Sequence, residues 1–223
     1  TGSPVTAIGG TETGKKEYWA KWEANTYTVT LNTNGGTINS GNVTGYTYGV
    51  GATLPTADDM TYTGYTFKGW YDNEGLTGFP VTAISDTETG NKEYWAKWEA
   101  NAYTVTLNTN GGTINNGNVT EYTYGVGATL PTDVTRTGYT FKGWYYNENL
   151  TGSPVTAIGD TETGNKEYWA KWEINQYTVT VKPENGEADI TITQDYGTAI
   201  TAPADPTREG YQFNGWDKAF PTT

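Results

Sequence analysis

The 223-residue sequence contains neither cysteine nor histidine. Their absence removes the thiol nucleophile, the imidazole base and the commonest transition-metal ligands. No disulfide can staple the chain, and no particular redox compartment is required. Any folded module must therefore hold together by burial alone. Basic residues are scarce too, with 13 Lys and Arg against 25 Asp and Glu and a formal net charge of −12. That balance disfavours nucleic acid as a partner, since such binding rests on neutralising phosphates with Lys and Arg. It equally disfavours adsorption to an anionic membrane surface. No run approaches the roughly 18 apolar residues of a membrane span, and no charged-then-apolar signal peptide opens the sequence. Direct membrane insertion is not expected, and any export signal or surface anchor is expected outside these residues.

What is present is aromatic. The chain has 9 Trp, 18 Tyr and 5 Phe, together with 29 Gly and a single Met, Met60. Each aromatic side chain buries about 150–250 Å². Thr is abundant, and Thr, Tyr, Trp, Phe and Val all suit the pleated surface of a sheet, while Gly supplies turns. Long helix-forming runs of Ala, Leu, Glu and Lys are missing. The fold class read from this is mainly β, at most a small α+β module.

Repetition dominates the sequence. The string Glu17-Tyr18-Trp19-Ala20-Lys21-Trp22-Glu23 returns at 93–99 and at 167–173. A second string, Gly64-Tyr65-Thr66-Phe67-Lys68-Gly69-Trp70-Tyr71, returns at 138–145 and, altered, at 210–216. The unit is about 75 residues long: Trp19 to Trp95 is 76 positions and Trp95 to Trp169 is 74. The two-residue difference falls between Pro55 and Gly64, where the second copy has the shorter 131–138, which marks a surface loop. The array reads as 1–25, the tail of a preceding repeat; 26–100, repeat A; 101–175, repeat B; and 176–223, a divergent and truncated repeat C. The alternative phase 1–76, 77–150, 151–223 fits the same string. The 223 residues are expected to be part of a longer array.

Within one unit, Tyr103-Thr104-Val105-Thr106-Leu107 alternates as a half-buried strand does and runs into the turn signal Asn110-Gly111-Gly112. A second strand is expected around 119–124, and 189–193 in repeat C. The stretch 126–135 reads as a loop or at most one helical turn. In 139–145 strict alternation puts Phe141 and Trp144 on opposite faces, but Gly143 permits a bulge that brings both inward. A weak strand follows at 154–158. The last strand, 168–172, should face Tyr168, Ala170 and Trp172 to the core and leave Trp169 and Lys171 outward. A unit this small is marginal alone, so neighbouring repeats of the same chain are expected to brace one another.

These strings closely resemble the Listeria–Bacteroides repeat family, the internalin-type B repeat of bacterial surface proteins. The pattern of aromatic-Thr-Val-Thr, Asn-Gly-Gly, Gly-Tyr-x-Phe-x-Gly-Trp-Tyr and a closing Tyr-Ala-Lys-Trp, here Trp-Ala-Lys-Trp, stands at 27–36, 64–71 and 95–98, and again at 103–112, 138–145 and 169–172. Repeat C departs from it at Asn214 and after Trp216. The resemblance implies tandem β-grasp-like (ubiquitin- or SUMO-like) modules arranged as an elongated rod. It also implies an extracellular, cell-surface location and a spacer or adhesion-supporting role without catalysis.

The chemistry-bearing candidates are few. Glu17, Glu93 and Glu167 recur in register, as paired carboxylates for glycoside hydrolysis would, but a thin module offers little cleft and a strand-edge charge is the simpler reading. Trp19, Trp95 and Trp169 with Lys21, Lys97 and Lys171 form one candidate contact cluster per unit for a host surface protein or glycan; packing is the competing reading. Asp58-Asp59 and 160–162 offer oxygen ligands without the spacing of a calcium loop. Lys68 and Lys142 are candidate isopeptide donors, but Asn214 breaks that series. No cofactor and no resident metal is expected. The reading is a monomeric, non-catalytic stalk that projects or supports an adhesive domain; the alternative is a multivalent weak binding module.

Overall fold

The computed structural model describes residues 3–220 and divides into two compact units, Thr1–Ala100 and Asn101–Thr223. Both are built from strands; the one helical element among the described residues is a single 3-10 turn at Ala57–Asp59.

In the first unit, β1 (Thr26–Asn32) enters the core and turns at Asn34-Gly35-Gly36 into β2 (Thr37–Ile38). There follow β3 (Gly45–Thr47), β4 (Ala52–Thr53), β5 (Met60–Thr61), β6 (Tyr65–Tyr71), β7 (Ala83–Ile84) and the closing β8 (Lys92–Ala100). The principal sheet runs β3-β1-β8-β6. Its centre is the parallel pair β1–β8, with Val29 opposite Lys92 and Asn32 opposite Trp95. Two small antiparallel pairs, β2–β5 and β4–β7, complete the unit.

The second unit repeats this plan with β9 (Ala102–Asn108), β10 (Thr113–Ile114), β11 (Glu121–Thr123), β12 (Ala128–Thr129), β13 (Val134–Thr135), β14 (Tyr139–Tyr145), β15 (Ala157–Ile158) and β16 (Lys166–Ile174). The order β11-β9-β16-β14 is the same, with β9 and β16 parallel. The segment 126–135 is thus not simply a loop: its two short strands pair with β15 and β10. In the first unit the two extra residues are taken up around the 3-10 turn, where Ala57 and Asp58 are exposed and Met60 is buried. Val134 takes that core position in the second unit.

The bulge at Gly143 is present. The register of β14 against β16 slips between Phe141 and Gly143, and Gly143 has φ 117°, a region open to glycine and strained for other residues. Phe141 and Trp144 therefore both reach the core, with ring centroids 5.5 Å apart. Trp144 is 2% exposed, and its indole N–H donates to the Pro131 carbonyl at 2.8 Å. Trp70 and Pro55 repeat the arrangement. Around them gather Val105, Tyr122, Leu130, Ile158, Tyr168 and Ala170, all buried.

Repeat C, within the second unit, contributes β17 (Gln176–Val181) and β18 (Ile190–Asp195), an antiparallel pair. It is tied to repeat B at the joint. The Tyr196 N–H donates to the Asn175 carbonyl at 2.8 Å, and the Tyr196 ring lies so close over Gly138 that a Cβ there would meet it at 1.8 Å.

Candidate functional site

The closing strand carries most of the candidate residues, and its two faces differ. On the core face of β16, Tyr168 and Ala170 are fully buried, and burial pushes the Tyr168 phenol well above its ordinary range. Trp172 packs at the edge of the core and donates its indole N–H to the Thr109 carbonyl at 2.8 Å. This seat requires Gly112, where a Cβ would lie 2.2 Å from the Trp172 ring. Trp98, Thr33 and Gly36 repeat the set in β8.

On the other face, Trp95 stands opposite Tyr71 and Trp169 opposite Tyr145. Lys97 and Lys171 each place Nζ 5.1 Å from the centroid of the Tyr71 or Tyr145 ring, a cation–π contact. Both tyrosines are buried under these neighbours, and Trp95, Trp169, Lys97 and Lys171 are all half-buried. The outward residues of β8 and β16 thus form a packed aromatic layer on each sheet, not a fully open stripe. Trp19 and Lys21 lie elsewhere, in a segment without strand structure where Trp19 is 80% exposed. A shallow cleft of about 390 Å³ in the first unit is lined by Asp72, Glu88, Lys92, Glu93 and Trp95 among others.

The carboxylates are engaged in ordinary structure. Glu93 accepts from the Asn32 side-chain amide at 2.8 Å, and Glu167 from Asn108 at the same distance. Asp59 accepts from Ser40 and from the Thr56 backbone and hydroxyl, and these bonds hold its carboxyl below the usual range. Glu162 pairs with Lys166 at 2.5 Å. Lys68 and Lys142 form ion pairs with Glu99 and Glu173, both at 2.5 Å. The hydrogen bond from Lys68 lowers the Glu99 pKa. Among the described residues no three acidic or metal-ligating side chains gather where they could hold an ion, and no helix is long and apolar enough to cross a membrane.

Sequence reasoning had no sight of Tyr71 and Tyr145 as the platforms beneath the lysines. The signal was available only in part: Tyr follows Trp in both copies, but the cross-strand register that seats Lys on Tyr depends on the Gly69 and Gly143 bulges.

The model of the Listeria–Bacteroides repeat domain matches residues 27–97, 103–171 and 177–221. Over 205 residues the chain is 38% identical to an inferred membrane protein of Evansella cellulosilytica, covering 89% of this chain and 29% of the relative. It is 35% identical over 201 residues to an inferred Gly-rich membrane protein of the same organism, covering 89% of this chain and 22% of that one. It is 32% identical over 88 residues to Internalin H of Listeria monocytogenes, covering 39% of this chain and 15% of that one. The chain thus spans less than a third of the length of these curated relatives. No solved structure matches it significantly.

Proposed function

This chain belongs to the Listeria–Bacteroides repeat family, and from that premise we propose that it is a non-catalytic spacer of a bacterial surface protein, holding another domain away from its anchor. The observation that carries this reading is the joint between repeats B and C. The Tyr196 N–H of repeat C donates to the Asn175 carbonyl of repeat B at 2.8 Å, and the Tyr196 ring lies against Gly138, so consecutive repeats are pinned by backbone and side chain together. A spacer needs such joints, because a flexible linker spans only the square root of its length. We take the structural unit as 26–100 and 101–175, because each principal sheet closes within those limits. The pairing of first and last strands at the sheet centre also supports reading each unit as a β-grasp-like module without its helix. The relatives named as membrane proteins and as an internalin favour a cell-surface location.

The half-buried Trp95 and Trp169 favour a second reading, a weak contact site for host protein or glycan, one per repeat. A length series separates the two. Arrays of one, two or four copies of 26–100 are placed between an unrelated binding domain and a cell anchor. A spacer predicts that the reach of the binding domain grows with copy number and is unchanged by Trp95→Ala. Reach independent of copy number would overturn the reading.

A further inference from the structure

In each complete repeat the two strands at the centre of the principal sheet are its first and its last, and they run parallel. That geometry decides how a pull along the chain is met. Tension enters repeat A at the start of β1 and leaves at the end of β8. In a parallel pair those two points lie at opposite ends. The strands are then drawn past each other, and every bond between them is loaded at once. Were the pair antiparallel, the same pull would open it from one end, one bond after another. Forced unfolding is a matter of rate, and the barrier rises with the number of bonds that must break together.

The pair is reinforced where that load falls. In repeat A the ladder runs from Val29 opposite Lys92 to Asn32 opposite Trp95, and four bonds made by side chains cross beside it. The Thr28 N–H donates to the Asn91 side-chain oxygen at 3.0 Å, and the Asn32 amide to Glu93 at 2.8 Å. The Asn34 amide donates to the Ala96 carbonyl, and the Trp98 indole to the Thr33 carbonyl, both at 2.8 Å. Repeat B makes the same four, from Thr104 and Asn165 at one end to Trp172 and Thr109 at the other. The small pairs β2–β5 and β4–β7 lie outside this path.

Sliding is blocked as well as bonded. The Trp98 ring fills the place that a Cβ at Gly36 would take, and Trp172 does so at Gly112. A slip of one residue would also turn the buried Tyr94 and Ala96 out of the core. Little slack separates one clamp from the strand that follows. Asn101 alone stands between β8 and β9, and Asn175 alone between β16 and β17.

We infer that each complete repeat is a shear clamp, and that the array transmits tension between a surface anchor and a target gripped by the domain it projects. This use of the clamp deepens the spacer reading and rests on it. The two fail separately, because one is read by reach and the other by force. A repeat that yields at low force still sets a distance, and a chain that sets no distance can still hold.

The absence of cysteine lets the pulling points be chosen. In the full-length chain, handles on Asn25→Cys and Asn101→Cys draw β1 and β8 past each other. Handles on Asn25→Cys and Thr89→Cys instead pull their neighbouring starts apart. At one loading rate, optical tweezers should record a higher force for the opening of repeat A in the first geometry than in the second. An equal or lower force would overturn the proposal. Asn32→Ala/Asn91→Ala deletes two of the four ties. It should shorten the lifetime of the first tether under constant force by roughly tenfold. Asn39→Ala removes a side-chain bond to Thr61 across the β2–β5 pair and should leave that lifetime unchanged. A lifetime untouched by the double variant, or shortened as much by Asn39→Ala, would equally overturn the proposal. The comparison of geometries alters no tie of the clamp, so it decides the matter even should a variant misfold.

Discussion

At the scale of single residues, burial of indole rings does the most work. Trp144 combines near-complete burial with a hydrogen bond to the Pro131 carbonyl. Trp144→Ala should cost about 3–5 kcal/mol by loss of transfer energy and a cavity. Trp144→Phe keeps most of the packing but orphans the carbonyl, and should cost about 1–3 kcal/mol. Urea unfolding of the two variants, followed by the remaining tryptophan fluorescence, should rank them in that order. Gly112→Ala is expected to destabilise by about 1–3 kcal/mol, because its Cβ would enter the space of the Trp172 ring. The same urea measurement checks it, and parent-like stability would show that the indole has room to shift. The inward pair Phe141 and Trp144 was legible from Gly143 alone, since a glycine inside an alternating strand signals a bulge. The seat of Trp172 on Gly112 was not, because it joins residues 60 positions apart through the parallel pairing of β9 and β16.

At the scale of elements, long strands were readable and short ones were not. The strand read at 103–107 lies within β9, and 168–172 lies within β16, where Tyr168, Ala170 and Trp172 face the core as expected. β12 and β13 are two residues each, too short for any period to show, and they arise only because their partners β15 and β10 lie alongside. The second strand, placed around 119–124, is confined to Glu121–Thr123, where it pairs with β9. The outward tryptophans were placed on the correct face, but their partial burial depends on Tyr71 and Tyr145, which only the register supplies. The joint is also an element-scale device. Gly138→Ala adds a Cβ into the Tyr196 ring and imposes a side chain on a residue at φ 76°. Hydrogen exchange should then speed up at the Asn175 and Tyr196 amides while the β14–β16 pair stays protected. Unchanged exchange at both amides would show that the joint does not depend on that contact.

At the scale of the whole molecule, the missing histidine shapes the pH response. Asp59 and Glu99 have lowered pKa values in the fold, so their contribution is present above the ordinary carboxylate range and is lost as pH falls through the lower folded values. Lys92 and Lys166 are raised by their bonds to Glu88 and Glu162; their contribution is complete below the ordinary lysine value and fades as pH rises through the higher folded one. Buried Tyr46 and Tyr122, also raised, act in the same sense. The urea midpoint should therefore be flat between about pH 5 and 9, and should fall below about pH 4 and above about pH 10. A step near pH 6.5 would contradict this, because the chain has no histidine.

We propose that the repeated aromatics build the modules and do not seize a ligand. The most direct test is equilibrium binding of the 223-residue chain to arrays of glycans and extracellular-matrix proteins, alongside a Trp95→Ala/Trp169→Ala variant. Neither protein is expected to show saturable binding. Saturable binding by the parent that disappears in the variant would contradict this proposal.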